Sequence, residues 1–101
     1  MTAADEAAAL PLRTAQALHA LMARWRDAGG SAPITAAQVC EYDETALTVR
    51  HTAAALAHAR RLGLADGYDG LWFATSAAWD MRKALEDRVL AEHDEREEPA
   101  R

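Results

Sequence analysis

The sequence predicts a mainly α-helical domain carrying one small β-hairpin, on three observations. Apolar residues recur at intervals of three and four in an early, a middle and a late segment. Half of the residues are hydrophobic, but alanine inflates that share and only 6% are aromatic, which favours closely packed helices over a β-sandwich. Between the middle and late segments, Leu64 to Ala74 holds two Asp-Gly pairs between apolar residues, a hairpin signal.

At 101 residues the chain suffices for one modest core. The expected organisation is a flexible N-terminal segment over 1–10, a folded domain over 11–93 and a disordered acidic tail over 94–101. Residues Met1 to Leu10 are small and acidic, with no periodic face of large side chains. Pro11 suits the first position of a helix. Leu12, Ala15, Leu18, Leu21, Met22 and Trp25 then mark an amphipathic first helix that ends at Ala28-Gly29-Gly30, with Trp25 read as core and His19 as structural or solvated.

Ser31 to Thr35 reads as a loop, in which Pro33 holds Ala32 extended. Thr35 is placed as an N-cap, and Thr35-Ala36-Ala37-Gln38 has the spacing of a capping box, so a short helix is expected from Ala36 to Glu41 or Tyr42. Val39 and Cys40 supply its apolar side, Cys40 as a small buried hydrophobe. Asp43-Glu44-Thr45 reads as a turn whose acids complement the start of the next helix.

That next helix, expected over about 45–62, is the stretch around which the chain is organised. Val49, Ala53, Leu56 and Ala59 form its expected core stripe. Leu47, Arg50, His51, Ala54, Ala55, His58 and Arg61 form the other side, small or basic apart from Leu47. No carboxylate lies between Thr45 and Ala65. Gly63 suits a left-handed helix terminus, and Arg60 and Arg61 complement the negative end of the helix dipole. Leu64-Ala65 is expected as a very short strand, Asp66 to Gly70 as a turn-rich tip, and Leu71-Trp72-Phe73-Ala74 as the returning strand, with Trp72 and Phe73 on opposite faces. A last helix is expected from Thr75 or Ser76, with Ala78, Met81, Leu85 and Val89 along one side, and Trp79, Arg82, Glu86 and Leu90 widening it.

The net charge of −5 is distributed unevenly. Residues 45–65 carry +3 (Arg50, Arg60 and Arg61), whereas 86–101 carry −4, from seven acids and three arginines. Phosphate binding depends on the local field of the docking face, not on the total. One cysteine forms no internal disulfide, and no Cys/His spacing suits a metal. The N-terminus lacks the pattern of a signal peptide, and no apolar run is long enough to span a membrane. A cytoplasmic chain without metal or cofactor is expected. It is not expected to be an enzyme, since no Gly-rich phosphate loop, nucleophile elbow or paired acid and base is evident.

A capped short helix, a tight turn, Thr48-Val49-Arg50-His51, then Ala59-Arg60-Arg61-Leu62-Gly63-Leu64, a Gly-tipped turn and a strand ending Phe73-Ala74-Thr75-Ser76 together resemble the winged helix-turn-helix regulators of the MarR-like branch. The resemblance covers roughly residues 12 to 94. It implies that the second helix of the unit enters the major groove of double-stranded DNA, and that the wing touches backbone or minor groove. It further implies a sequence-specific regulator, of repressor type, acting as a homodimer through its N- and C-terminal helices. For a DNA-binding role, face and spacing place Thr48, Arg50, His51, Thr52 and His58 towards the groove, Arg50 as the guanine reader. Arg61 and Arg24 would hold phosphates, Thr35 and Gln38 would present the amides of the short helix to the backbone, and Tyr68 would hydrogen-bond a phosphate or sugar. Asp66 and Asp69 depart from a basic wing. They open the alternative of a protein-binding or inhibitory module whose acidic surface meets a protein partner.

Overall fold

The computed structural model describes residues 3–30, 34–42 and 48–97. Residues 31–33 of the loop expected over Ser31 to Thr35, the turn Asp43-Glu44-Thr45, Leu47 and residues 98–101 lie outside the described residues. Among the described residues the architecture is mainly helical with one small antiparallel sheet. The elements run α1 (Ala3–Ala9), α2 (Leu12–Asp27), β1 (Ile34–Thr35), α3 (Ala36–Tyr42), α4 (Val49–Arg61), β2 (Ala65–Tyr68), β3 (Leu71–Ala74), α5 (Ser76–Asp80) and α6 (Arg82–Glu97).

Helix α2 is the element on which the others lean. Thr14, Ala15, Gln16, Ala17 and Leu18 are consecutive and all buried, so the helix is enclosed on every side over that stretch. α3, α4, α6, β1 and β3 all touch it. Leu18 and Leu21 from α2, Val39 from α3, Leu56 from α4 and Leu85 from α6 make the centre of the core. Truncating any one of these leucines to alanine would cost about 2–5 kcal/mol. At its far end α2 closes through Gly29 in the left-handed region, and Trp25 packs on Trp79 of α5 with ring centroids 5.4 Å apart.

The sheet has the order β1-β3-β2. Ile34 pairs with Trp72 and Thr35 with Leu71, while Tyr68 pairs with Leu71 across the hairpin. Strand β1 falls where the sequence reads as loop. Two residues carry no periodicity, and the strand exists because the edge of β3 offers it partners. The hairpin is also tighter than expected. β2 runs on through Tyr68, and the turn is Asp69-Gly70 alone, with φ of 51° and 77°. Positive φ at both central residues defines a type I′ turn, the form whose twist matches two antiparallel strands. Trp72 packs against the core, and Phe73 lies on the opposite strand face, opposite Asp66.

Both ends of the chain differ from expectation. The segment expected to be frayed or one short extra turn forms α1, with Ala7 and Leu10 buried. Arg88 of α6 donates from one guanidinium nitrogen to the carbonyls of Ala7 and Leu10, at 2.6 and 2.5 Å, and so ties α1 down. The expected last helix is two helices, broken at buried Met81, where the chain bends without a glycine or proline. Ala78 and Met81 thereby face the core beside the sheet while Leu85 reaches it from α6. α6 continues to Glu97, past the point where a disordered tail was expected to begin.

Candidate nucleic-acid interface

Helix α4 is framed at both ends by local chemistry. Thr48 is its N-cap, in extended conformation, and its Oγ1 accepts the His51 amide at 3.1 Å. At the other end the Leu64 amide donates to the Ala59 carbonyl at 2.9 Å, and the Gly63 amide donates to that of Arg60 at 3.0 Å. Gly63 has φ of 78°, so this is a Schellman terminus. The helix therefore begins at Val49, later than the expected 45, and position 45 itself lies outside the described residues.

Which side of α4 faces outward also departs from expectation. The buried residues are Thr52, Ala55, Leu56 and Ala59, whereas Val49 is 48% exposed. Alanines occur all around the helix and are small enough to be buried or exposed, so spacing alone reads Val49 and Ala53 as inward and Ala55 as outward. The exposed side carries Arg50, His51, Ala54 and Arg61. Thr52 leaves the expected groove-facing set: its side chain is 0% exposed, turned to the core, and its hydroxyl has no hydrogen-bond partner among the described residues. His58 is half-buried, and its Nδ1 lies 3.2 Å from the hydroxyl of buried Thr14 on α2. It therefore joins two helices as well as bordering the surface.

The remaining expected contacts scatter. Thr35 and Gln38 form the reciprocal capping box: the Thr35 amide donates to Gln38 Oε1 at 2.9 Å, and the Gln38 amide donates to Thr35 Oγ1 at 3.2 Å. Both side chains, and the Gln38 amide expected to meet phosphate, are thus engaged within the fold. Arg24 is half-buried and lies ten residues along α2 from Thr14, about 15 Å of helix away, so it does not share a site with Arg61. Tyr68 is 63% exposed on β2. By strand alternation it shares a face with Asp66, whose carboxylate lies 3.4 Å from Arg60 Nε. Of the basic groups at the end of α4, Arg60 is therefore turned towards the hairpin.

On its other flank α4 forms an open groove with the start of α2, of about 530 Å³. Arg13, Thr14, His51, Ala54, His58 and Arg61 line it, and no carboxylate does. The fold thus brings together His51, His58 and Arg61 from the expected set and adds Arg13, which the sequence did not single out. A local signal for it exists: an arginine in the first turn of a helix opposes the positive end of the dipole, an arrangement that an anion would relieve. Among the described residues no group of His, Cys, Asp and Glu is placed to hold a metal, and no helix is long and apolar enough to cross a membrane. Comparison of the chain with protein-family models, with curated proteins and with solved structures finds no match.

Proposed function

We propose that this chain is a winged helix-turn-helix regulator that binds double-stranded DNA in a sequence-specific way, with α4 in the major groove and the hairpin as the wing. The observation that carries it is the outward side of α4. Arg50 and Arg61 stand exposed beside His51 and the small side chain of Ala54, with no carboxylate on the helix. Cations next to small side chains allow close approach to a phosphate backbone, and Arg50 presents the forked guanidinium that matches guanine O6 and N7. The order of α2, β1, α3 and α4 followed by the hairpin supports the same assignment.

A dimer is the working form in this proposal, since half-sites one helical turn apart supply affinity that one weakly cationic helix lacks. α6 offers exposed Leu90 for that contact. One observation favours a second use, as a protein-binding module: Asp66, Asp69 and Tyr68 make the hairpin acidic and aromatic, a surface suited to a basic protein partner.

Selection from a random duplex pool at low salt, followed by a salt titration, tests the proposal. A two-fold symmetric motif is expected, with affinity falling steeply as salt rises. Arg50→Ala is expected to cost about 1–3 kcal/mol and to relax the preference at one base pair. Failure of folded protein to enrich any sequence would transfer the weight to the protein-binding module.

A further inference from the structure

We infer that the groove between α2 and α4 is a phosphate-binding site, with Arg13 and Arg61 as its cations. Three independent features converge there. The first is charge: two arginines and two histidines line the groove, and neither Arg13 nor Arg61 has an ion-pair partner among the described residues. The second is the backbone. Arg13 and Thr14 belong to the first turn of the sixteen-residue α2, and its N-cap, Pro11, supplies no side-chain cap. The amides of Leu12, Arg13 and Thr14 precede the first helical acceptor, while the Ala15 amide already donates to the Pro11 carbonyl at 3.0 Å. The positive pole of α2 therefore adds to the arginines.

The third feature is hydrogen-bond polarity. In the tautomer in which the Thr14 hydroxyl donates to His58 Nδ1, 3.2 Å away, the imidazole keeps its Nε2–H as a donor, the polarity an anion requires. Glu6 lines the adjoining cleft, which shares His58 and Leu62 with the groove. It bounds the site on that side and leaves the outer side, towards Ala54 and Arg61, open. Those two residues belong also to the exposed side of α4, so a strand whose bases meet Arg50 would lay its backbone along the groove. Duplex DNA as the source of the phosphate rests on the function proposed above; the groove itself stands on its own geometry.

The test uses the full chain with two probes, a labelled duplex and inorganic tripolyphosphate. Arg13→Gln and Arg61→Gln are compared with Arg26→Gln, an exposed arginine near the other end of α2. All three positions are exposed, and unchanged melting curves will show that the variants fold. Arg13→Gln and Arg61→Gln are each expected to weaken duplex binding about tenfold at low salt and to lower the salt slope by about one, as loss of one phosphate contact does. Arg26→Gln should leave both unchanged. If the duplex binds and neither groove variant alters affinity or slope, the groove proposal is overturned while DNA binding stands. If no duplex binds but tripolyphosphate shifts the amide resonances of Thr14, His51 and His58, and Arg13→Gln abolishes those shifts, the site takes free phosphate and the DNA assignment falls. Binding of neither probe overturns the proposal.

Discussion

Arg60 and Asp66 tie the last turn of α4 to the first strand of the hairpin, Nε to Oδ1 at 3.4 Å, with both side chains more than half exposed. A helix with no acid of its own thus receives a counter-charge from the element that follows it. The same Asp66 oxygen accepts the Gly67 amide at 2.8 Å, which holds the carboxylate in place. Arg60 is occupied on the hairpin side, while Arg61 and Arg13 lie on the α2 side. The cationic surface of α4 is therefore shifted away from the hairpin.

Asp66→Asn separates the two consequences of this pair. Asparagine keeps an oxygen for the Gly67 amide and removes only the charge. An exposed pair contributes about 0.2–1 kcal/mol, so the melting temperature should fall by a few degrees at most. Duplex affinity at low salt should rise severalfold, because Arg60 is released and a negative charge on the proposed wing is lost. Anisotropy titrations of both proteins at two salt concentrations check this. Equal affinities would place the hairpin beyond the reach of the DNA backbone.

Thr52→Val addresses the hydroxyl buried on the inner side of α4. A buried polar group without a partner costs about 1–3 kcal/mol, and valine has nearly the same shape. The variant should be as stable as the parent or more so, by up to about 1 kcal/mol, a rise of several degrees in melting temperature. Its selected DNA sequences should be unchanged, because the side chain is turned from the outward face. A lower melting temperature would reveal a hydrogen bond that the hydroxyl makes to the fold.

Asp66 and Thr52 lie where the sequence alone is least legible, and the reason is the range over which each signal acts. Signals that reside in one or two neighbouring residues carried through: the capping box of Thr35 and Gln38, the left-handed Gly63, and an Asp-Gly turn, though Asp69-Gly70 and not Asp66-Gly67 forms it. Features decided by distant chain did not. β1 exists through pairing with Trp72 and Leu71, α1 is held by Arg88, and Arg13 meets α4 only because α2 and α4 pack together. On α4 itself, alanines and Thr52 are small enough to fit either side, so spacing does not show that Thr52 turns to the core.

Two glycines should respond to alanine for different reasons. Gly63 has φ of 78° with open space where a Cβ would stand, so Gly63→Ala should cost about 1–2 kcal/mol through backbone conformation alone. At Gly67 a Cβ would lie 2.2 Å from the carbonyl oxygen of Leu71 and 3.3 Å from the Trp72 ring, so the strands must move apart. Gly67→Ala should therefore be the more destabilising of the two and should alter the Trp72 environment. Thermal melts followed by tryptophan fluorescence distinguish them. Equal losses with unchanged fluorescence would show that the hairpin absorbs the methyl group without shifting.

Arg88 decides whether α1 belongs to the fold. A seven-residue helix is too short to persist on its own, and its attachment to α6 combines the buried side chain of Ala7 with the two bonds from Arg88 to the Ala7 and Leu10 carbonyls. Hydrogen bonds to charged groups contribute about 1.5–3 kcal/mol, less where they are partly exposed. Arg88→Met keeps most of the aliphatic stem and removes the donors. Amide exchange in α1 should then accelerate by about tenfold or more, the equivalent of about 1.4 kcal/mol of local stability, while the slowest amides of α2 and α4 change much less. Hydrogen-exchange mass spectrometry with peptides covering α1 reads this directly. Acceleration spread evenly over α1, α2 and α4 would instead mean that α1 opens only with the whole domain, making it part of the cooperative core that the sequence did not foreshadow.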